Sequence, residues 1–168
     1  GYDLFSKYER RFLDATELFK RYFEAANELG AEFIILHGSR GRIEISSEEY
    51  ASRYYRLSEI AEREGCILTH ENVVDYSGAT PEFMAFMKNQ LGSSFKMVLD
   101  IKQARRAKAD IKQFIDAIGE NIVHVHLSDC DRKRDCIPPG ENGLFDFKEL
   151  FTLLHRVGYK GRYMVELY

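Results

Sequence analysis

The chain repeats one pattern five times: an amphipathic helix is followed by a short apolar run that ends in a polar residue. The clearest of these runs, Ile122–Leu127, has the length of one β-strand and is apolar enough to be buried on both faces. Helix signals separate the runs, namely Gly158 after the last predicted helix and the predicted N-caps Ser46, Thr80 and Asp146. Successive strand ends lie 26 to 40 residues apart, which suits strands joined by crossover helices. The alternation therefore predicts an α/β fold with a parallel sheet.

The predicted elements fill the chain from end to end. The apolar period predicts helices that begin near Arg10, Ser46, Pro81, Ile111 and Asp146. The short apolar runs predict strands at Glu32–Leu36, Cys66–Thr69, Phe95–Leu99, Ile122–Leu127 and Arg162–Val165. We expect the charged segment Lys102–Lys112 to be a solvated face. With 168 residues, 45% of them apolar, and no low-complexity linker, the chain is predicted to form a single domain over residues 1–168.

Composition narrows the classes of partner. A net charge of −3 provides no basic surface for nucleic acid, and no apolar run approaches the roughly 20 residues of a membrane span. The first residues lack the apolar core of a signal peptide. The three cysteines form no CxxC motif, which predicts reduced thiols in a cytoplasmic protein. Because the chain does not begin with Met, we expect residues upstream of Gly1.

Each predicted strand ends in a group that can bind a metal ion or move a proton. These groups are His37, Glu71, Asp100, His126 and Glu166. Any one of them, taken alone, is more simply an ordinary strand-end polar residue, but all five occur at the sheet edge where parallel α/β folds bind ligands. Three converging carboxylates would repel each other, and a divalent cation removes that repulsion. Three oxygen ligands and one imidazole suit Mn²⁺, Mg²⁺ or Co²⁺, whereas structural zinc sites prefer sulfur and nitrogen.

Six segments together resemble a known superfamily. In order, they are LHGSRG (36–41), THENV (69–73), VLDIKQA (98–104), HVHLSD (124–129), PPGENGLFDF (138–147) and GYKGRYMVEL (158–167). The ordered set resembles the sugar phosphate isomerase/epimerase superfamily of xylose-isomerase-like TIM barrels, whose members include ketose 3-epimerases, inosose dehydratases and AP endonucleases. The resemblance implies a (β/α)8 TIM barrel, of which this chain is the C-terminal five βα units, strands 4–8. A complete barrel needs about 250 residues, so strands 1–3 are expected upstream of Gly1.

The resemblance also implies a site. Glu71, Asp100, His126 and Glu166 match the single-metal quartet of the epimerase-like members, in which the two glutamates also act as the catalytic acid and base. The implied cofactor is one divalent metal ion (Mn²⁺, Mg²⁺, Co²⁺ or Zn²⁺). A metal that chelates adjacent carbonyl and hydroxyl oxygens acidifies the C–H bond between them and stabilises an enediolate, and one carboxylate takes the proton while the other returns it.

The chain departs from the family pattern in three places, and the first two departures count against a three-zinc nuclease site. Gln103 stands where the family often has the histidine of an Asp-x-x-His motif; an amide is a poor metal ligand but can hydrogen-bond a substrate hydroxyl. Arg134-Asp135-Cys136 stands where the nucleases have an Asp-x-His pair. The usual Gly-Glu-Gly is spread over residues 140–143, which leaves its register ambiguous by one residue.

Other polar residues support weaker interpretations. His37 is predicted to line the substrate pocket, with a structural role as the equal alternative. Arg132 and Arg134 are predicted to bind a sugar hydroxyl or phosphate, with a solvated loop as the alternative. His124 is interpreted as a satisfied core histidine, His70 as structural and His155 as a surface residue.

These observations predict a divalent-metal-dependent isomerase or epimerase of a sugar, sugar phosphate or polyol, which works by proton transfer through a metal-stabilised enediolate. The predicted partner is a small-molecule sugar or polyol, without nucleic acid or membrane, and a homo-oligomer is left open. An inosose-type dehydratase could use the same site. An AP-endonuclease-like phosphodiesterase is a second alternative, and a non-catalytic ligand-binding barrel is a third.

Overall fold

The computed structural model describes residues 4–140 and 143–167. Within these two ranges, α-helices and strands alternate along the chain. The helices are α1 (Glu9–Glu28), α2 (Ser47–Arg63), α3 (Pro81–Leu91), α4 (Ile101–Arg106), α5 (Ile111–Ile118) and α6 (Phe147–Arg156). The strands are β1 (Phe33–Leu36), β2 (Ile67–Glu71), β3 (Met97–Asp100), β4 (Ile122–Leu127) and β5 (Arg162–Val165). The five predicted strands are therefore confirmed, with ends that differ from the predicted ones by at most two residues.

The strands form one parallel sheet in the order β1-β2-β3-β4-β5. Each connection moves the chain one strand further in the same direction, as in a barrel, whereas a doubly wound sheet reverses its strand order at a switch point. The five strands form a half-barrel, which confirms the predicted barrel class. On β5, at one edge of this sheet, Tyr163, Met164 and Val165 are each between 44% and 53% exposed.

The two faces of the sheet have different partners. Met97 and Leu99 on β3, like Val125 on β4, join the main apolar cluster with the helices. Because side chains alternate along a strand, Asp100 and His126 point to the opposite, inner face. The helices thus cover the outside of the half-barrel and leave its polar strand ends on the inside.

The helix starts confirm the predicted caps. The hydroxyl of Ser46 accepts a hydrogen bond from the Glu49 amide at 3.1 Å, and the hydroxyl of Thr80 accepts one from the Phe83 amide at 3.3 Å. Asp146 does the same for the Glu149 amide at 2.9 Å. Such caps satisfy N–H groups that the first turn of a helix leaves without partners.

The charged segment after β3 differs from its prediction. Its first part is the short helix α4, and Lys102 is buried rather than solvated. The helix begins because the Asp100 carboxylate accepts a hydrogen bond from the Gln103 amide at 2.9 Å. Helix α4 also contacts β4, so its first turn lies against the sheet instead of in solvent.

The predicted thiols are free: Cys66, Cys130 and Cys136 form no disulfide with one another in the structure. No helix in the described part of the chain is both long enough and apolar enough to cross a lipid bilayer. The cytoplasmic location stays a prediction.

Candidate metal site

Four of the five predicted strand-end residues converge at the carboxyl edge of the sheet. Glu71 ends β2, Asp100 ends β3, His126 is the penultimate residue of β4, and Glu166 follows β5. The register places Asp100 directly beside His126. Each of the four offers one ligand atom, and these atoms lie within 4.8 Å of one another. The quartet is therefore a candidate metal site.

His126 is the centre of the quartet. Its Nδ1 atom lies 2.8 Å from Glu166 Oε2, 2.9 Å from Glu71 Oε1 and 3.7 Å from Asp100 Oδ2. Glu71, Asp100 and His126 are each at most 5% exposed, while Glu166 is half-buried. Glu166 is thus the carboxylate of the set that is most open to solvent.

The residues of the quartet shift one another's pKa values. Burial lowers the pKa of His126, but Asp100, Glu71 and the charge of Glu166 outweigh it and raise that pKa to about 9. Burial raises the pKa of Glu71, but hydrogen bonds from His126 and His37 outweigh it, so this pKa lies below its usual range. The pKa of Asp100 is lowered in the same way, against burial, chiefly by His126 and the Gln103 amide. Without a metal, a proton on His126 therefore holds the carboxylates together.

The donor set fits a divalent cation. Ligands about 2.1 Å from an octahedral metal lie at most about 4.2 Å apart, close to the spread of the four atoms here. Asp100 Oδ2 is buried and has no hydrogen-bond partner among the residues that the structure describes. Such an orphaned carboxylate oxygen calls for an explanation, and a cation would supply one. The four residues would hold the ion, and His126 would lose its proton on binding it.

Asn72 holds Asp100 in place from the neighbouring strand. Its Nδ2 donates to the Asp100 carbonyl at 2.8 Å, and its Oδ1 accepts from the Asp100 amide at 2.7 Å. The register of β2 with β3 extends to Glu71 opposite Val98, so the Asn72 side chain continues the pairing where main-chain pairing stops. Asn72 itself is fully buried.

Lys102 enters the site from the first turn of α4. Its side chain is 1% exposed, and its Nζ lies 3.7 Å from Asp100 Oδ2 and 3.8 Å from Glu166 Oε2. This burial contradicts the solvated face that was predicted for Lys102–Lys112. A signal existed, because a lysine two residues after a buried strand can turn back over the strand end.

His37, the fifth strand-end residue, stands at the rim. Its Nε2 lies 3.1 Å from Glu71 Oε2, its side chain is 49% exposed, and this contact raises its pKa. Its predicted place beside the pocket fits these contacts, while substrate binding stays a prediction.

His70 is structural, as predicted, and lies on the outer face behind Glu71. Its Nε2 is 2.9 Å from the hydroxyl of Tyr50, which in turn is 2.8 Å from the hydroxyl of Ser77. Full burial lowers the pKa of His70 to about 4, so the ring is neutral. This chain of polar contacts connects β2 and the loop that follows it through helix α2.

His124 differs from its prediction. It is buried, as expected of a core histidine, but its Nδ1 has no hydrogen-bond partner in the described ranges. The reason is its surroundings on the inner face, where its ring packs against Phe33 and His126. His155 is exposed on α6, as predicted.

The remaining predicted substrate residues lie outside the quartet. Gln103 is buried, and its side-chain Oε1 accepts a hydrogen bond from the Val74 amide at 3.2 Å, so this oxygen already has a partner. Arg132 and Arg134 are exposed on the loop after β4, and Asp131 holds the Arg134 guanidinium at 2.8 and 2.9 Å. No hydrogen bond or ion pair joins either arginine to the quartet within residues 4–140 and 143–167. Substrate binding by these three residues stays a prediction, and the Gly140–Gly143 motif lies partly outside the described residues.

Comparison with protein families finds one match along the entire length. The family model described as xylose isomerase-like TIM barrel matches residues 1–168. A search of curated protein sequences finds no match to this chain.

Solved structures share the fold. A D-tagatose 3-epimerase-like protein is 24% identical with a TM-score of 0.74, and the alignment covers 96% of this chain and 65% of that one. The IolI protein with a binding zinc atom is 21% identical with a TM-score of 0.80, covering 98% of this chain and 64% of the other. D-psicose 3-epimerase with D-tagatose, from Clostridium cellulolyticum H10, is 17% identical with a TM-score of 0.79, covering 98% and 60%. The chain thus spans less than two thirds of the length of these structures.

Proposed function

Because the chain belongs to the xylose isomerase-like TIM barrel family, we propose that its protein is a divalent-metal-dependent sugar isomerase or epimerase. The observation that carries the proposal is the buried quartet, in which two glutamates from different strands lie within 3 Å of the same histidine nitrogen. A site with two carboxylates around one cation is suited to moving a proton on a bound hydroxycarbonyl compound. A sugar, sugar phosphate or polyol is the proposed substrate class.

The quartet divides the work of the proposed reaction. A bound divalent ion would supply Lewis-acid stabilisation for the negative charge that develops on adjacent sugar oxygens. Glu71 takes the proton from the carbon between those oxygens, and the electron pair of the C–H bond moves into the enediolate of the sugar. Glu166 returns a proton to the opposite face in an epimerase. In an isomerase the proton goes to the neighbouring carbon, and the hydroxyl proton moves from one of the two oxygens to the other, so that the carbonyl group changes place.

The surroundings of the two glutamates suit these roles. Glu71 is buried and held by both His37 and His126, so it is a carboxylate at neutral pH and can act as a base. The side chain of Glu166 is 16% exposed against 5% for Glu71, so Glu166 is the less buried of the two carboxylates. Asp100 and His126 complete the metal ligands.

A dehydratase is the alternative that the same geometry supports, because loss of a β-hydroxyl begins from the same enediolate. The phosphodiesterase alternative has less support. The two positions that would supply additional histidine ligands to a three-metal site hold Gln103 and Cys136 instead. The side-chain oxygen of Gln103 accepts a hydrogen bond from the Val74 amide, and Cys136 Sγ lies 3.7 Å from the Glu166 carbonyl oxygen.

Solvent-deuterium exchange tests the proposal. The full-length protein, loaded in turn with Mn²⁺, Mg²⁺, Co²⁺ or Zn²⁺, would be incubated in D₂O with ketoses and inososes, and proton loss at carbon followed by NMR. We expect exchange with at least one compound and its loss in Glu71→Gln. The matched control is Glu59→Gln, a change on the exterior helix α2 that should leave exchange intact. Exchange at the wild-type rate in Glu71→Gln would contradict the acid/base assignment, and steep salt-dependent DNA binding would favour the nuclease.

A further inference from the structure

Lys102 has an environment that lysines seldom occupy. It is 1% exposed, whereas lysine is almost never fully buried unless its charge is paired. It lies in α4 immediately after a metal-ligand candidate, and the backbone there is fixed by the Asp100 cap on the Gln103 amide. The backbone that carries Lys102 is therefore fixed by the same residue that would bind the metal.

The ammonium group lies between two carboxylates from different strands. Its Nζ is 3.7 Å from Asp100 Oδ2 and 3.8 Å from Glu166 Oε2. Both distances are too long for direct hydrogen bonds but short enough for strong charge interaction in a buried place. Glu71, the third carboxylate, is contacted instead by His37 and His126.

The charges of the site are balanced when Lys102 is counted. The three carboxylates carry a total charge of −3, and the ammonium of Lys102 reduces it to −2. One divalent cation then makes the occupied site neutral, with His126 as a neutral ligand. Without the lysine, the occupied site would carry one excess negative charge, and the negative charge that forms on the sugar in the proposed reaction would be added to it.

We propose that Lys102 is a positioning residue whose fixed positive charge holds Asp100 and Glu166 together and balances the one negative charge that a divalent cation leaves on the three carboxylates. The lysine weakens metal binding, because its charge repels the cation. It stabilises the negative charge on the reacting sugar, a consequence that depends on the proposed function. Lys102 thus lowers the affinity for the metal and raises the rate of the proposed reaction.

Metal titration tests the first consequence without any substrate. Isothermal titration with Mn²⁺ or Co²⁺ would compare the wild-type chain with Lys102→Met, which keeps the length of the side chain but not its charge. We expect at least tenfold tighter binding in Lys102→Met. Lys102→Arg keeps the charge and should stay within threefold of wild type, as should the control Lys108→Met, which removes an exposed lysine six residues later.

Whether metal affinity rises or falls in Lys102→Met distinguishes an electrostatic role of Lys102 from a packing role. If Lys102 served only to fill space, Lys102→Met would leave metal affinity unchanged or weaken it, and either result would overturn the proposal. If Lys102→Met is unfolded without metal, recovery of the fold on adding Mn²⁺ supports the proposal. Failure of Lys102→Met to fold at any metal concentration overturns the proposal, because a bound cation should replace the positive charge of the lysine.

Turnover tests the second consequence. With a substrate found by deuterium exchange, Lys102→Met saturated with metal should lose at least tenfold in kcat, while KM changes less than threefold. An unchanged kcat would refute the stabilising role of Lys102. Failure to find any substrate would instead count against the proposed function and leave the metal titration valid.

Discussion

Replacing Asn72 tests how the site is held together. Asn72→Ala removes two hydrogen bonds to the Asp100 main chain, at 2.7 and 2.8 Å, and leaves a buried N–H and a buried C=O without their partner. Each such group, once orphaned, costs about 1–3 kcal/mol, so the free energy of unfolding should fall by about 2–6 kcal/mol. This is a large share of the roughly 5–15 kcal/mol of a typical domain.

Metal affinity should fall as well, because Asp100 loses the contact that orients it. Changes in residues that orient metal ligands typically weaken binding about 10- to 100-fold. Urea denaturation would measure stability, and titration with Mn²⁺ would measure affinity. We expect both to fall in Asn72→Ala.

Asn121 provides a matched control. It is also buried, and its Nδ2 donates to the carbonyls of Gly92 and Phe95 at 2.7 and 2.8 Å, at the opposite end of the sheet. Asn121→Ala should therefore lose comparable stability and keep its metal affinity. If Asn72→Ala weakened metal binding no more than Asn121→Ala does, or lost less than about 1 kcal/mol, the orienting role of Asn72 would be refuted.

Three further predictions concern protons and packing. Because the pKa of His126 is raised to about 9 in the metal-free protein, metal binding at pH 7 should release a proton, seen as a buffer-dependent binding enthalpy; no dependence would contradict this. Because folded His126 binds its proton more tightly than unfolded His126 does, this proton stabilises the metal-free protein, with its full effect below about pH 6.5. The contribution should be lost as the pH rises through about 9, so the urea midpoint of unfolding should fall over that range. Tyr50→Phe removes the hydroxyl between His70 and Ser77 and should cost about 1–3 kcal/mol by urea denaturation, whereas a loss below about 0.5 kcal/mol would refute the network.

Much of the fold follows from local patterns. The period of 3.6 located the long helices, short apolar runs located all five strands, and caps such as Ser46 and Thr80 marked helix starts, because these signals depend on residues close in sequence. Helix α4 escaped prediction because its polar sequence resembles a solvated segment. Its start depends on Asp100, and its burial depends on contact with β4, far along the chain.

The quartet could also be predicted, since parallel strands bring their carboxyl ends to one edge and the polar residues there must meet. What the sequence by itself determined was the order of the elements and the residues at each strand end. Only the tertiary structure decided that Asn72 clamps Asp100, that His124 lacks a partner for its Nδ1 among the described residues, and that Lys102 lies between two carboxylates. These facts depend on distances of a few ångströms between residues 28 or more positions apart, or on the direction of a single flexible side chain, and no local period encodes either.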